Sequence, residues 1–293
     1  MTAAFGRRFH VELPDGKTLT CVTRGRKSEF ACGDRARVQR IAGGEGIIKD
    51  VAPRTSLLYR SDADRQKLIA ANVDQVIFVL AAVPSYNEEL LNRCLIAAEA
   101  AKVQAIVVLN KADLEAETAR AKAALAWLAD LGYTLVPLCA KQSIAPLAAH
   151  LEGKLSVLVG QSGMGKSTII NTLVPDAGAR VGEFSASLDA GKHTTTSARL
   201  YRLGAAAAII DSPGLQEFGV YHLTDDELGY AFPEFRPYLG NCRFSNCRHV
   251  NEPDCAILAA AKAGKIRAMR LALYQRLVVQ HGEWRAQRKA QGR

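Results

Sequence analysis

Apolar and polar positions along the chain change rhythm twice. Over residues 1–60 the pattern is short and alternating. Phe9-His10-Val11-Glu12-Leu13 and Leu19-Thr20-Cys21-Val22 flank Pro14-Asp15-Gly16-Lys17, which predicts a hairpin. Ala36 to Ile41 and Gly46 to Val51 supply further strands. A small all-β barrel of the oligonucleotide-binding (OB-fold) kind fits this length and rhythm. Arg54 to Asp62, behind Pro53, reads as a linker. From about residue 62 the apolar runs become continuous: Gln75 to Leu80, Ala105 to Leu109, Leu155 to Val159 and Ala205 to Ile210. Such runs mark strands buried on both faces. Between them Glu88 to Ala101 has helical spacing, with Leu91, Leu95 and Ala98 on one face, and Leu114 to Leu131 reads as a second helix. Leu135 to Leu138 is another strand, and a helix follows from Thr168. Strands alternating with helices imply an α/β domain with a parallel sheet. Helical composition returns over Ala256 to Gln280. The expected division is 1–60, 62–222 and 223–293.

Composition adds a compartment and a charge map. At 48% hydrophobic and 23% charged residues the chain is an ordinary soluble one. Val76 to Val83, about its longest apolar run, is far short of a membrane span. The start lacks the apolar core of a secretion signal, and seven cysteines without framework spacing suit a reducing cytosol. Residues 1–60 carry 12 Lys+Arg against 6 Asp+Glu, residues 231–293 carry 12 against 4, and residues 61–230 carry 14 against 19. Basic flanks around an acidic centre suit contact with a polyanion, RNA being the expected one. Arg24, Arg26, Lys27, Arg35 and Arg37 are candidate phosphate contacts; a solvated basic surface is the alternative.

The chemistry centres on Gly160-Gln161-Ser162-Gly163-Met164-Gly165-Lys166-Ser167-Thr168, lying between a strand and a helix. Glycine, four residues, then Gly-Lys-Ser is the phosphate-binding loop. Its backbone N–H groups and helix N-terminus attract phosphate oxygens. Lys166 is placed for the β- and γ-phosphates and the Ser167 hydroxyl for Mg²⁺. At the end of an earlier strand stand Asn110-Lys111-Ala112-Asp113. This is an Asn-Lys-x-Asp element, whose Asp accepts hydrogen bonds from the N1–H and N2–H₂ edge of guanine; adenine has no such donor pair. Cys139-Ala140-Lys141 resembles the Ser-Ala-Lys element that buttresses the base. Asp211-Ser212-Pro213-Gly214 matches Asp-x-x-Gly, whose Asp holds Mg²⁺ through water. Gly191-Lys192-His193-Thr194-Thr195-Thr196 lies where a switch loop belongs. The base-reading elements precede the phosphate loop, the reverse of the ordinary GTPase order, so the domain is circularly permuted.

Cys242, Cys247, His249 and Cys255 follow as Cys-x4-Cys-x-His-x5-Cys. Three thiolates and one imidazole suit a closed structural zinc site; buried free cysteines are the alternative. The tail from His281 to Arg293 carries Trp284, Arg285, Arg288, Lys289 and Arg293. It reads as a solvated end or as an arm that orders on RNA.

With these motifs, and Phe232-Pro233-Glu234-Phe235-Arg236-Pro237-Tyr238 leading into the cysteines, nearly the whole chain resembles the RsgA (YjeQ) family of circularly permuted GTPases. The resemblance implies a cytoplasmic, monomeric GTPase that is stimulated by the small ribosomal subunit and assists its late maturation. It would contact ribosomal RNA through its barrel and zinc domain and leave after hydrolysis. It also implies that Asn110, Lys111 and Asp113 bind guanine, that Gly160 to Thr168 bind phosphates and Mg²⁺, and that Cys242, Cys247, His249 and Cys255 bind zinc. The residue after Asp-x-x-Gly is Leu215, which cannot orient a water. Slow hydrolysis by the free protein is therefore expected. His193 is the candidate for the missing polar role, with Gln216 a poorer one and a solvent-facing loop histidine the alternative. Two other readings compete: a GTP-gated RNA-binding module with little catalytic role, and a small-molecule kinase, against which Asn-Lys-x-Asp argues.

Overall fold

The computed structural model describes residues 1–23, 30–41, 43–61, 66–177, 198–212 and 220–290. In chain order the elements are β1 (Ala3–Phe5), β2 (Arg8–Glu12), β3 (Thr18–Thr23), β4 (Ala36–Arg40), β5 (Gly46–Val51), β6 (Leu57–Ser61), β7 (Gln66–Ala71), β8 (Gln75–Ala81), α1 (Glu88–Ala100), β9 (Gln104–Asn110), α2 (Glu115–Ala124), α3 (Trp127–Asp130), β10 (Thr134–Leu138), α4 (Ala145–Leu151), β11 (Leu155–Val159), α5 (Lys166–Leu173), β12 (Ala198–Arg202), β13 (Ala208–Asp211), α6 (Asp225–Tyr230), α7 (Ala256–Lys262) and α8 (Ala268–Ala290). They fall into two compact units. Met1–Tyr59, Lys67–Asn87 and Val103–Gln216 form the first; Arg60–Gln66, Glu88–Lys102 and Glu217–Arg293 form the second.

The first unit is built on one mixed sheet of eleven strands in the order β10-β9-β8-β11-β13-β12-β1-β2-β3-β5-β4. The strands β10, β9, β8, β11 and β13 are parallel. All seven residues of β8 are buried, which is what its unbroken apolar run requires of a strand covered on both faces. Ile77, Val79, Ile106, Val108, Leu158 and Ile169 share one core. Beyond β13 the sheet turns antiparallel through β12, β1, β2 and β3. The expected hairpin is β2–β3, pairing Phe9 with Cys21. Its alternation buries one face, and Phe9, Val11, Leu19, Cys21 and Ile48 make a second core.

Several boundaries differ from the sequence expectation. Arg54 to Asp62 is no plain linker: Leu57–Ser61 is β6, paired with β7, because Leu58 finds a buried place. Arg54 itself forks onto the buried Asp34 carboxylate, 2.7 and 2.8 Å away. Leu114 to Leu131 is two helices, α2 and α3, interrupted at Leu125. The helical stretch of 256–280 divides at Gly264, whose φ of 74° ends α7. The tail continues α8 as far as Ala290 instead of leaving it, since Glu283, Arg285, Ala286 and Gln287 are good helix formers.

The second unit packs α1, α6 and α8. Leu91, Leu95 and Ala98 of α1 are buried, as their spacing predicts. Phe232 and Phe235 stack at 4.9 Å, and Tyr274 meets both edge-on. Through this core runs a polar thread. The fully buried Arg270 donates to Glu234 at 2.6 and 3.0 Å and to the Asn92 amide oxygen at 2.9 Å. His281 on α8 is also buried, beside the Tyr221 ring, and neither of its ring nitrogens has a hydrogen-bond partner. Burial pushes its imidazole down to about 4; Arg285 adds to this, Asp225 opposes it, and His222 and Arg93 push the same way as Arg285. The unfolded chain takes up that proton near pH 6.5, well before the folded protein does. Stability should therefore fall as pH drops from about 6.5 to 4, by up to ~1.4 kcal/mol per pH unit. Calorimetric melts across this window should show the loss in the native chain, and His281→Phe should flatten it.

Candidate nucleotide site and metal centre

Parallel register brings the carboxyl ends of the strands to one edge of the first unit. Ala81 and Leu138 stand opposite Asn110, and Leu158 stands opposite Asp211. An open parallel sheet binds ligands at such an edge. From β11 the chain enters the loop Gly160 to Gly165, where Gly160, Gly163 and Gly165 have φ of 146°, 80° and 93°. A Cβ at Gly160 would stand 2.4 Å from the Val79 carbonyl oxygen, and one at Gly165 2.2 Å from Nδ2 of Asn110. Only glycine fits either place.

The loop delivers Lys166 to the first turn of α5. Its Nζ donates to the carbonyl oxygens of Gly160 and Gln161 at 2.7 and 2.8 Å. Carbonyls solvate the ammonium without neutralising it. Burial pushes Lys166 down to about 8, while Asp211 pulls it up. Asp211 is itself pushed up by burial and drawn back by Lys166. A polyanion placed over this loop would restore the charge on the lysine.

Asn110 ends β9 and is buried. Its Nδ2 donates to the Met164 carbonyl at 3.0 Å, and its Oδ1 accepts from the Ala140 N–H at 3.1 Å. One amide at the end of β9 thus ties the phosphate loop to the loop that follows β10. Lys111 adopts φ 61°, a left-handed turn, and its Nζ reaches the Val83 carbonyl at 2.8 Å. Ala112 is fixed by its N–H to the Leu138 carbonyl, 3.0 Å. Asp113 is exposed and accepts from the Cys139 thiol at 3.1 Å. That hydrogen bond, ahead of the other influences, holds the Asp113 carboxyl below its ordinary range. Cysteine therefore serves as donor where serine was the expected residue. Thr172, one turn beyond Thr168, fastens the Ala140 carbonyl at 3.0 Å. The Gln161 side chain accepts from the Asn87 N–H at 2.8 Å. No sequence signal marked Thr172 or Asn87, because each contributes a tie that any small polar or backbone group can make. Ser212 donates its N–H to the Leu158 carbonyl. Gly191 to Thr196 with His193, Pro213 to Gln216, Arg24, Arg26, Lys27 and Arg293 lie outside the described residues.

In the second unit Cys242, Cys247, His249 and Cys255 place their ligand atoms within 4.8 Å of one another. Sγ of Cys242 lies 3.8 Å from Sγ of Cys255, and Nδ1 of His249 lies 3.5 and 3.4 Å from the two sulfurs. Tetrahedral zinc with its usual bond lengths has edges of about 3.8 Å between sulfurs and about 3.5 Å from nitrogen to sulfur. The spacing fits a structural zinc. Left-handed backbone at His249 and Asp254, φ 58° and 54°, folds both ligand-bearing turns inward. Burial pushes the Cys247 thiol up to about 12, so three thiolates require the charge of a bound cation. Burial also lowers His249, which keeps the imidazole neutral for ligation. Among the described residues no helix is long and apolar enough to cross a membrane.

Comparison with known proteins agrees with this geometry. Residues 51–221 match the family described as RsgA GTPase. A small ribosomal subunit biogenesis GTPase RsgA of Nitrosospira multiformis is 52% identical over 278 residues, covering 95% of this chain and 89% of that protein. A protein of the same name from Neisseria meningitidis serogroup B is 50% identical over 275 residues, covering 94% and 89%. Among solved structures, YjeQ from Thermotoga maritima is 28% identical with a TM-score of 0.69 over 97% of this chain and 96% of its own. YloQ, described as a circularly permuted GTPase, is 26% identical with a TM-score of 0.65 over 97% and 93%.

Asn110→Ala should cost about 1–3 kcal/mol of stability by stranding the Ala140 N–H. It should also weaken GTP and GDP alike by roughly tenfold or more, read by isothermal titration. Gly165→Ala should abolish binding of both. Elemental analysis should find one zinc per chain, and Cys255→Ser should lower both that content and the denaturant midpoint of the second unit.

Proposed function

The chain belongs to the RsgA GTPase family, and from that premise we propose how its residues divide the work of a small ribosomal subunit biogenesis GTPase. It is a GTP-hydrolysing enzyme. The observation that carries the assignment of residues is Asn110, whose one amide, at the end of β9, holds the phosphate loop and the loop after β10 at a single sheet edge.

Asp113, exposed and kept ionised beside the Cys139 thiol, accepts from guanine N1–H and N2–H₂. The Lys111 stem covers the base. Backbone N–H groups of Gly160 to Thr168 receive the phosphates, and Lys166 takes the β- and γ-phosphates. Ser167, and Asp211 through water, would hold Mg²⁺, which would supply positive charge against the phosphates. Lys166 and Asp211 already sense each other's charge, which supports a shared place beside the γ-phosphate. His193 orients the attacking water, the role Leu215 cannot fill.

Residues 1–60 are the RNA-binding OB barrel of this reading, 62–222 the permuted GTPase domain, and 223–293 the zinc-binding helical domain with its basic tail. For the barrel, support comes from the order β1-β2-β3-β5-β4 with one parallel pair, β3 with β5. The expected barrel is a five-stranded, partly open Greek key, and this order is compatible with it. Arg35, Arg37, Arg40 and Lys49 are exposed on it. The partner is the small subunit and its RNA. The protein acts in the cytoplasm as a monomer and departs once GTP becomes GDP.

Pelleting with purified small subunits tests the reading. Retention should be stronger with a non-hydrolysable GTP analogue than with GDP, and subunits should accelerate single-turnover hydrolysis. Stronger retention with the analogue but no acceleration would leave a GTP-gated RNA-binding module instead, and equal retention would remove the gating from either reading. His193→Ala should keep GTP affinity and lose the acceleration; undiminished turnover would remove the histidine from the mechanism.

A further inference from the structure

Between its first two metal ligands the chain makes an exposed tip, Arg243-Phe244-Ser245-Asn246. Cys242 and Cys247 anchor its ends, and the Cys247 N–H closes it onto the Phe244 carbonyl at 3.2 Å. Phe244 is 42% exposed, one of few large apolar side chains so presented among the described residues. Its partner is a cation: the Arg243 guanidinium carbon lies 5.4 Å from the ring centre. Arg243 is in turn held to the opposite arm of the loop. Its Nη1 donates to the Asp254 carboxylate at 3.0 Å and its backbone N–H to the Asp254 carbonyl at 3.3 Å. The ring and the guanidinium are therefore presented by a clamped turn, at little further ordering cost on binding.

The surroundings say what such a ring is for. A protein-docking patch extends over contiguous apolar surface. Here the neighbours are a guanidinium, a hydroxyl and a carboxamide, and residues 231–293 carry 12 Lys+Arg against 4 Asp+Glu. An isolated aromatic face with a stacked arginine and small polar side chains, in a basic stretch of the chain, matches the way proteins grip unpaired bases. We infer that Phe244, seconded by Arg243, is a stacking platform for an unpaired nucleobase of small-subunit RNA. Ser245 and Asn246 stand beside it for the base edge. The inference rests on the RNA-binding reading above and assigns to the zinc loop a contact of its own, separate from phosphate neutralisation.

The test compares the full chain with Phe244→Leu and Phe244→Trp for affinity to purified small subunits at several salt concentrations. Zinc content and subunit-free GTP hydrolysis are measured alongside. Phe244→Leu should lose roughly five- to a hundredfold in affinity with an unchanged salt slope, since no phosphate contact is removed. Zinc content and basal hydrolysis should stay as in the parent, and Phe244→Trp should bind as well or better. A photo-cross-linker placed at position 244 should label RNA. Parental affinity in Phe244→Leu, or labelling confined to ribosomal protein, overturns the platform while leaving the functional reading intact. A parent chain that binds no subunits under any nucleotide overturns both.

Discussion

A single buried carboxamide sets the conditions for the nucleotide site. Asn110 spends its amide hydrogen on Met164 and its oxygen on Ala140, so three loops from three strands are fixed by one side chain. Its place follows from the sheet: the last residue of β9 is level with the ends of β8 and β10. The close approach of Gly165 follows too, because any side chain there would occupy the amide's own position. The glycines of the phosphate loop thus answer to the neighbouring strand as much as to phosphate.

Permutation of the chain leaves this geometry alone. What matters is which strand ends adjoin, and β9, β8, β11 and β13 adjoin whatever the order in which they are threaded. The antiparallel extension answers a second need. The outer strand β12 would offer an open edge, and β1 covers it, pairing Ala3 with Arg199. The sheet of the first unit consequently passes without a break from the nucleotide loops to the N-terminal hairpin.

Much of this was legible because it is local. Unbroken apolar runs gave β8, β9 and β11; the glycines, Asn110, Asp113 and the cysteine-histidine group carry chemistry in their identity and spacing. What escaped depends on the partners a segment finds and not on its own residues. β12, Ala-Arg-Leu-Tyr-Arg, is a strand because β13 and β1 flank it, and nothing in five residues announces that. Leu57–Ser61 looked like a connection since its partner, β7, begins with Gln66-Lys67 and has no strand-like start. Asn92, Glu234 and Arg270 are polar residues of the kind usually assigned to solvent, yet each completes the others' hydrogen bonds within a core. Polarity predicts exposure only when no such companions are supplied.

The company kept by α1 has a consequence for the chain as a piece of heredity. By sequence this helix sits between β8 and β9, deep within the nucleotide-binding stretch, yet it groups with α6 and α8, and its Asn92 completes the setting of Arg270. Cutting the gene after the last nucleotide motif would strip α1 of those companions and leave the Asn92 amide oxygen without Arg270. The zinc-bearing half is accordingly no cassette to be lent or lost. The two units interleave along the chain, so no single cut separates them.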